Sequence, residues 1–291
     1  MKRTAILLTC FNRKDKTLQC LKSLTEVLNV SKDAMTFDIF LVDDGSTDGT
    51  SEAIAESYPE VKIIKGSGVL FWSGGMRLAW RSALQSRVVY HFFLLLNDDV
   101  KLLPNFLNDL MATHRYSLAT YMKSGIYVSS TKDLANTGAS YGGTIVKRNM
   151  IRANNIKITP SDKPQLCTMA NANILMVTKD VVDAIGILDE NYTHQFGDYD
   201  YTLAASKNNI PVLVCPGFGG ICDNDHGKSW LPANSTLKGR LKYLYSPLGL
   251  AYYEQLYYLK KNFKWQFPYY FSMLWLKTLF PFVWDKLKKE E

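Results

Sequence analysis

The chain has 291 residues, 47% of them hydrophobic and 21% charged, with a formal net charge of +7 and a pI near 9.0. That apolar fraction excludes disorder and suffices for one α/β domain with an appendage, or for two domains. The five cysteines, Cys10, Cys20, Cys167, Cys215 and Cys222, never form CxxC and lie mostly within apolar runs, which indicates reduced thiols in a cytosolic setting and argues against a disulfide framework or a structural zinc site.

The apolar stretch at the N-terminus is too short for a signal peptide, and Asn12-Arg13-Lys14-Asp15 stands where a small-residue cleavage region would lie. We read a first strand there, AILLTCF. A helical pattern follows, KTLQCLKSLTEVL, then strand FDIFLVDD, helix TSEAIAESY, strand VKIIK, helix GGMRLAWRSALQS and strand VVYHFFLLLNDD. This alternation predicts parallel βαβ units, whose ligands bind beyond the carboxyl ends of the strands. Thr9, Asp43, Asp44, Asp98 and Asp99 all fall at such ends. Next come a helix, NFLNDLMATH, and a mixed strand-and-turn region through Pro164. LCTMANANILMVT reads as one strand, residues 179–209 as helix and loop, and IPVLVCPG as a closing strand. Beyond Trp230 the text becomes helical, aromatic and basic. Its most apolar piece, residues 267–284, is interrupted by Lys277 and Pro281 and falls short of the ~20 apolar residues that span a bilayer. An interfacial helix on an anionic membrane surface is the expectation for it.

The chemistry is concentrated in a few places. In FFLLLNDDV, residues 92–100, a run fit for a buried strand ends in adjacent carboxylates, Asp98 and Asp99. A packed interior does not accept two like charges side by side, so a hard cation with an anionic ligand is the expected use. Asp99 would ligate Mg²⁺ or Mn²⁺ and Asp98 would meet a ribose or support the metal. In VDDGSTDGT, residues 42–50, a capped turn accounts for Asp48, whereas the Asp43–Asp44 pair suits acceptance from a nucleobase N–H or a ribose hydroxyl. The GSGVLFWSGGMR loop, residues 66–77, precedes a helix. It either brings backbone N–H groups and Arg77 to a phosphate, or is only a tight helix entry with Trp72 in the core. In FGDYD, one of Asp198 and Asp200 would cap a helix and the other would serve as a general base. His226, in a Gly/Asp-rich loop, is either a surface histidine or a nitrogen ligand to a metal.

The ordered set TCFNR, VDDGSTDGT, GSGVLFWSGG, NDD and FGDYDYTLAA resembles the family 2 glycosyltransferases of the GT-A fold, in particular bacterial rhamnosyltransferase-like enzymes of surface polysaccharide synthesis such as capsule or O-antigen. The resemblance implies a Rossmann-like α/β fold with a mainly parallel central sheet and flanking helices. It places a transferase domain over residues 1–230, with a nucleotide-binding half at 1–100 and an acceptor half at 101–230, followed by a C-terminal helical, membrane-associating region at 231–291. It further implies that Thr9 and Asp44 contact the base and Asp98 the ribose. Phe11, Asn12, Arg13, Asp43, Gly68, Trp72, Gly74, Arg77 and Asn97 would complete the nucleotide site. Asp99 and His226 would hold a divalent metal, and Asp198 would be the catalytic base, with Asp200 the alternative. Asn97 stands where the family has the first acid of its DxD motif, and Gly197 where a Glu often precedes the base.

The implied chemistry is inverting transfer of a sugar from a UDP-, dTDP- or GDP-linked donor to a hydroxyl of a polyprenyl-diphosphate-linked glycan acceptor, by an enzyme peripheral to the inner face of the cell membrane, with a homodimer as one option for the aromatic tail. A nucleotidyltransferase is the nearest rival and would need a stronger phosphate grip than Arg13-Lys14. A non-catalytic glycan-binding module would lack an essential carboxylate. Nucleic acid is disfavoured as a partner because the basic residues are mixed with an apolar tail rather than forming a polar stripe.

Overall fold

A computed structural model describes residues 2–31, 35–133, 138–148, 152–222 and 235–283. The first part of the chain contains β1 (Lys2–Cys10), α1 (Lys14–Ser31), β2 (Met35–Asp43), α2 (Thr50–Ser57), β3 (Lys62–Lys65), α3 (Phe71–Gln85) and β4 (Phe92–Leu96). After it come β5 (Lys101–Leu102), α4 (Phe106–Tyr121), β6 (Ile126–Lys132), β7 (Ala139–Tyr141), β8 (Gly143–Arg148), β9 (Ala153–Lys157), β10 (Gln165–Leu166), β11 (Met169–Ala170) and β12 (Ile174–Thr178). The chain then forms α5 (Lys179–Ile185), α6 (Gly197–Lys207), β13 (Val212–Ile221), α7 (Leu237–Tyr245), α8 (Tyr252–Asn262) and α9 (Phe267–Leu279).

The main sheet runs β10-β13-β6-β12-β4-β1-β2-β3, with β1 parallel to both β2 and β4, and β2 parallel to β3. This is the βαβ arrangement that the alternating pattern predicts. β4 is buried along its whole length and β1 along all but its first two residues, as expected of strands covered on both faces. One face carries α1, α2 and α4, which contribute Leu21, Leu24, Ile54, Phe106 and Leu110 to the core. The other carries α3, α5 and α6 through Met76, Trp80, Val181, Tyr201 and Ala205. Trp80 is fully buried against Phe93 and Tyr201; burying a large apolar side chain contributes about 1.5–3 kcal/mol.

Two elements differ from the sequence reading. LCTMANANILMVT is not one strand but parts of β10, β11 and β12, because the run crosses between sheets: Cys167 N–H donates to the Val212 carbonyl, whereas Thr168 and Asn171 donate to Thr144 and Gly142 of the small β11-β8-β9 sheet region. β12 then enters the main sheet antiparallel to both β4 and β6. The helix predicted from Gly74 starts instead at Phe71, which places Gly74 and Gly75 inside α3 and against β1. A Cβ on Gly75 would lie 2.1 Å from Thr9 Oγ1, so the closeness of α3 to β1 depends on that glycine.

The C-terminal helices are not a detached appendage. Tyr258 and Leu259 of α8, with Phe263 just after it, share an apolar cluster with Met169, Tyr192 and Leu203. Arg240 of α7 donates to the Thr278 carbonyl of α9, which ties these helices to each other. No helix among the described residues is long and apolar enough to cross a membrane.

Gly75→Ala is expected to lower stability by about 1–3 kcal/mol through overpacking against Thr9. Thr9→Ala in the same chain should recover part of that loss. Denaturant unfolding of both variants is the check, and an equal loss in the two would rule out this contact as the cause.

Candidate active site

The rim at the carboxyl ends of β1, β2 and β4 is organised by buried carboxylates. Asp44, 4% exposed, accepts from the backbone N–H groups of Gly68, Leu70 and Phe71 at 2.8, 2.8 and 2.9 Å. Three donors on one carboxylate satisfy groups that a helix start otherwise leaves orphaned, and they explain why α3 begins early. Asp43 accepts from Ser46 N–H at 2.8 Å and from the Ser51 hydroxyl. Asp48 accepts from Lys14 N–H at 3.1 Å and Thr50 N–H at 3.1 Å, serving the first residues of α1 and α2 together. Asn12, left-handed at φ 49°, receives Ser46-linked support: its N–H donates to Ser46 Oγ and its side-chain oxygen accepts from Thr47 N–H. The Asp43–Asp44 pair is thus engaged in holding its own loops, where the sequence suggested contact with a base.

The 66–77 loop likewise differs from a phosphate cradle. Ser73 and Gly74 N–H groups donate to the Thr193 carbonyl, and Leu70 and Phe71 N–H groups are taken by Asp44. Gly68 N–H is also taken by Asp44. Arg77 points to the 189–192 loop, donating to the carbonyls of Asp189 and Tyr192 at 2.9 and 2.6 Å; burial and the nearby Arg81 lower its pKa from the usual arginine value. Arg77 is therefore a brace between α3 and that loop. Trp72 is partly buried and donates its indole N–H to Asn97 Oδ1 at 2.8 Å. Asn97, replacing an acid, gives this contact a neutral acceptor. Thr9 is buried beneath α3, and Phe11 is 51% exposed on the rim.

Asp98 and Asp99 share a single cation, Arg13, whose Nη1 lies 3.0 Å from an oxygen of each. Asp98 also accepts from Thr17 at 3.2 Å. Burial pushes Asp98 up to about 6, against the pull of Arg13 and with the help of Asp99. Asp99 additionally accepts from the Cys222 thiol at 3.6 Å; burial, then Asp99, pushes that thiol up to about 12. Among the described residues no three His, Cys, Asp or Glu side chains gather into a metal-ligand group, and His226 lies outside the described residues. The donor set at hand, one rim carboxylate with a second beside it and a guanidinium already bridging both, fits a divalent cation that takes most of its ligands from substrate phosphates. It does not fit an all-protein cage.

Asp198 sits at the start of α6 and accepts from Ala172 N–H at 3.1 Å and Tyr199 N–H at 2.8 Å. Burial pushes it up to about 6, with those N–H groups opposing. It belongs to the same rim as Asp99, because Asn97 N–H donates to the carbonyl of Asn173, one residue from Ala172. Asp200, two residues on, is turned elsewhere: it is 2% exposed, ion-paired with Lys261 at 2.7 Å and bonded to Asn262 at 2.6 Å. A carboxylate so occupied anchors α8, whereas Asp198 meets only backbone N–H groups. The sequence reading missed Asn171–Asn173 as part of the rim, and also Glu254 and Lys261. None carries a local motif, since each matters only through a partner dozens of residues away.

The family model for glycosyl transferase family 2 matches residues 5–176. The chain belongs to glycosyltransferase family 2. Among solved structures, the family 2 chain is similar to a mannosyltransferase, PcManGT from Pyrobaculum calidifontis, in complex with GDP-Man and Mn²⁺, at 13% identity and TM-score 0.52, covering 92% of this chain and 72% of that one. It is also similar to S. aureus TarS 1–349, at 18% identity and TM-score 0.50, covering 77% of this chain and 60% of that one, and to the same protein in complex with UDP, at 16% identity and TM-score 0.51. The chain thus spans about 60% of the TarS fragment that it matches. At these identities the likeness establishes the fold, a GT-A arrangement of mainly parallel sheet and flanking helices. No curated protein matches significantly.

Asp44→Ala is expected to destabilise this family 2 chain by about 1–3 kcal/mol, the cost of stranding buried N–H donors. Hydrogen exchange of the 66–72 segment should rise in that variant, and unchanged protection there would refute the organising role of Asp44.

Proposed function

We propose that the protein transfers a sugar, with inversion, from a nucleoside-diphosphate sugar to a hydroxyl of a glycan acceptor. The observation that carries this is the convergence of Asp98, Asp99 and Asp198 on one rim, linked through Trp72, Asn97 and Asn173. In this reading the base and ribose lie near Thr9, Phe11 and Asp98, and the diphosphate lies over Asp99 and Arg13. Arg13 is well suited to meet phosphate oxygens, since its guanidinium is already held at the rim by Asp98 and Asp99. Asp99 would hold Mn²⁺ or Mg²⁺ together with the donor phosphates, and a cation bound there offsets charge growing on the departing diphosphate. The relative solved with Mn²⁺ supports this choice of cofactor.

Asp198 takes the acceptor proton as the hydroxyl oxygen bonds to the anomeric carbon from the face opposite the nucleotide. The bond to the diphosphate oxygen breaks, and no covalent sugar–enzyme intermediate is needed. A positioned base contributes roughly 10²–10⁴ in rate, most effectively when its pKa lies near the working pH. Burial brings Asp198 to about 6, which meets that condition.

The finer reading is a rhamnosyltransferase-like enzyme of bacterial surface polysaccharide synthesis, acting on a lipid-linked acceptor at the inner face of the membrane. The tail supports membrane contact: Tyr253, Trp265, Phe280 and Phe282 are exposed at 72%, 86%, 50% and 61%, and the exposed Lys260 and Lys264 precede Trp265 in the chain. Aromatic insertion combined with lysine attraction to anionic headgroups is the physical basis.

Screening with Mn²⁺ against UDP-, dTDP- and GDP-sugars, following nucleotide release, tests the reaction. Asp99→Ala is expected to lose metal-dependent donor binding, whereas Asp198→Asn should keep donor binding and lose transfer by roughly 10²-fold or more. Because the ionised form of Asp198 is the active one, wild-type kcat should fall about tenfold per pH unit below about 6 and level off above it. Equal donor affinity in wild type and Asp99→Ala counts against the metal assignment. For the tail, Trp265→Ser combined with Phe282→Ser should reduce co-sedimentation with anionic liposomes; undiminished binding would remove the membrane from this reading.

A further inference from the structure

The 189–199 segment, which carries Asp198, is gripped from two sides. From α3, Ser73 and Gly74 N–H groups donate to the Thr193 carbonyl, the Ser73 hydroxyl donates to the His194 carbonyl, and Arg77 holds the carbonyls of Asp189 and Tyr192. From the C-terminal helices, Glu254 of α8 accepts from His194 and Gln195 N–H groups at 3.3 and 3.2 Å. The Gln195 amide in turn donates to the carbonyls of Pro247 and Gly249 at 3.1 and 2.6 Å. Tyr257 and Lys261 bond to Asp189 at 2.9 and 2.8 Å.

Between these grips Phe196 adopts φ 65°, a left-handed conformation that a bulky residue takes only when its surroundings impose it. Its ring stacks on Tyr258 of α8 at 5.0 Å and 21°. Phe196 is also the residue from which α6 departs, since its carbonyl accepts from Asp200 N–H at 2.8 Å. The direction of the first turn of α6, and with it the aim of the Asp198 carboxylate, is therefore set by the 194–196 backbone. Glu254 is 8% exposed, so the carboxylate that fixes this backbone is itself buried and directed at the turn.

We propose that Glu254 is a positioning residue for the transfer step: carried on the C-terminal helix α8, it holds the 194–196 turn and so aims Asp198 at the acceptor hydroxyl. The proposal rests on the reading of Asp198 as the base. It gives the helices beyond residue 235 a part in catalysis that is separate from any membrane contact. The hydrogen bonds of Glu254 go to the 194–195 backbone and not to β1, β2 or β4, and toward α3 it acts only through its charge on Arg77, so the effect of its loss is expected on turnover more than on donor binding.

The test uses the full chain, with UDP, GDP and dTDP, each with Mn²⁺, as binding probes, and with the sugar nucleotide selected by the donor screen as substrate. Glu254→Ala is expected to lower kcat by roughly 10- to 100-fold, the cost of misplacing a catalytic group by about 1 Å. Donor KM and nucleotide affinity should stay within about twofold of wild type. Glu254→Gln, whose amide oxygen still accepts from the same N–H groups, should recover most of the turnover. Hydrogen exchange across 193–199 should be faster in the alanine variant than in the glutamine one. The proposal is overturned if Glu254→Ala keeps wild-type kcat, or if donor affinity, kcat and Tm fall together and Glu254→Gln restores none of them. Asp198→Asn separates the two levels: an active Asp198→Asn removes the base and with it the role of Glu254, whereas an inactive Asp198→Asn beside a fully active Glu254→Ala removes only the present proposal.

Discussion

The bonds from the buried Asp44 carboxylate to the N–H groups of Gly68, Leu70 and Phe71 set the position of α3, and α3 sets most of the rim. A helix start needs partners for its free N–H groups, and a carboxylate at the end of β2 provides them in a place from which water is excluded. Once α3 begins at Phe71, Trp72 reaches Asn97, Gly75 rests on Thr9, and Ser73, Gly74 and Arg77 reach the 189–194 segment. One interaction at the end of β2 therefore reaches, through α3, the 189–194 segment across the rim. The carboxylate is part of the scaffold of the site.

Electrostatics organises the centre of the rim in a different way. Asp98 and Asp99 are adjacent in sequence and lie at a strand end with little water, so one of them must be neutralised or paired. Arg13, from the loop after β1, does the pairing for both. The arrangement leaves the pair dependent on a cation, and a donor diphosphate with a divalent ion brings both more negative charge and the means to balance it. Arg13 lies at the boundary between these two conditions, within reach of the acids and open on its other side at 40% side-chain exposure.

The C-terminal helices join the same economy of contacts. Asp200 and Asp189 converge on Lys261. Although burial opposes it, Lys261, the Asn191 groups and Tyr257 hold Asp189 well below the usual carboxylate range. Glu254 takes the next turn of the loop. The family match ends at residue 176, before the 189–199 segment and before α8, so the part of the site to which proton transfer is assigned in the proposed reading lies in the less characteristic portion of the chain. It is braced by α8, from the stretch that composition alone marks as a membrane tail.

The strands β1 to β4 and their parallel pairing were legible in the alternation of apolar runs with helical periodicity, because burial on both faces demands continuous hydrophobic text. The acids at the strand ends were legible for the same reason, since a charge pair stands out at the end of such a run. The sequence alone therefore determined the fold class, the family, and the candidacy of Asp98, Asp99 and Asp198. The engagement of Asp200 with α8, the commitment of Asp44 and Arg77 to scaffold, the splitting of 165–178 into separate strands and the docking of α8 were decided only by tertiary structure. Each depends on which partner a polar group meets across a long sequence separation, as Asp200 meets Lys261. Local patterning specifies burial and periodicity, but a hydrogen-bond partner dozens of residues away exists only once the chain has folded.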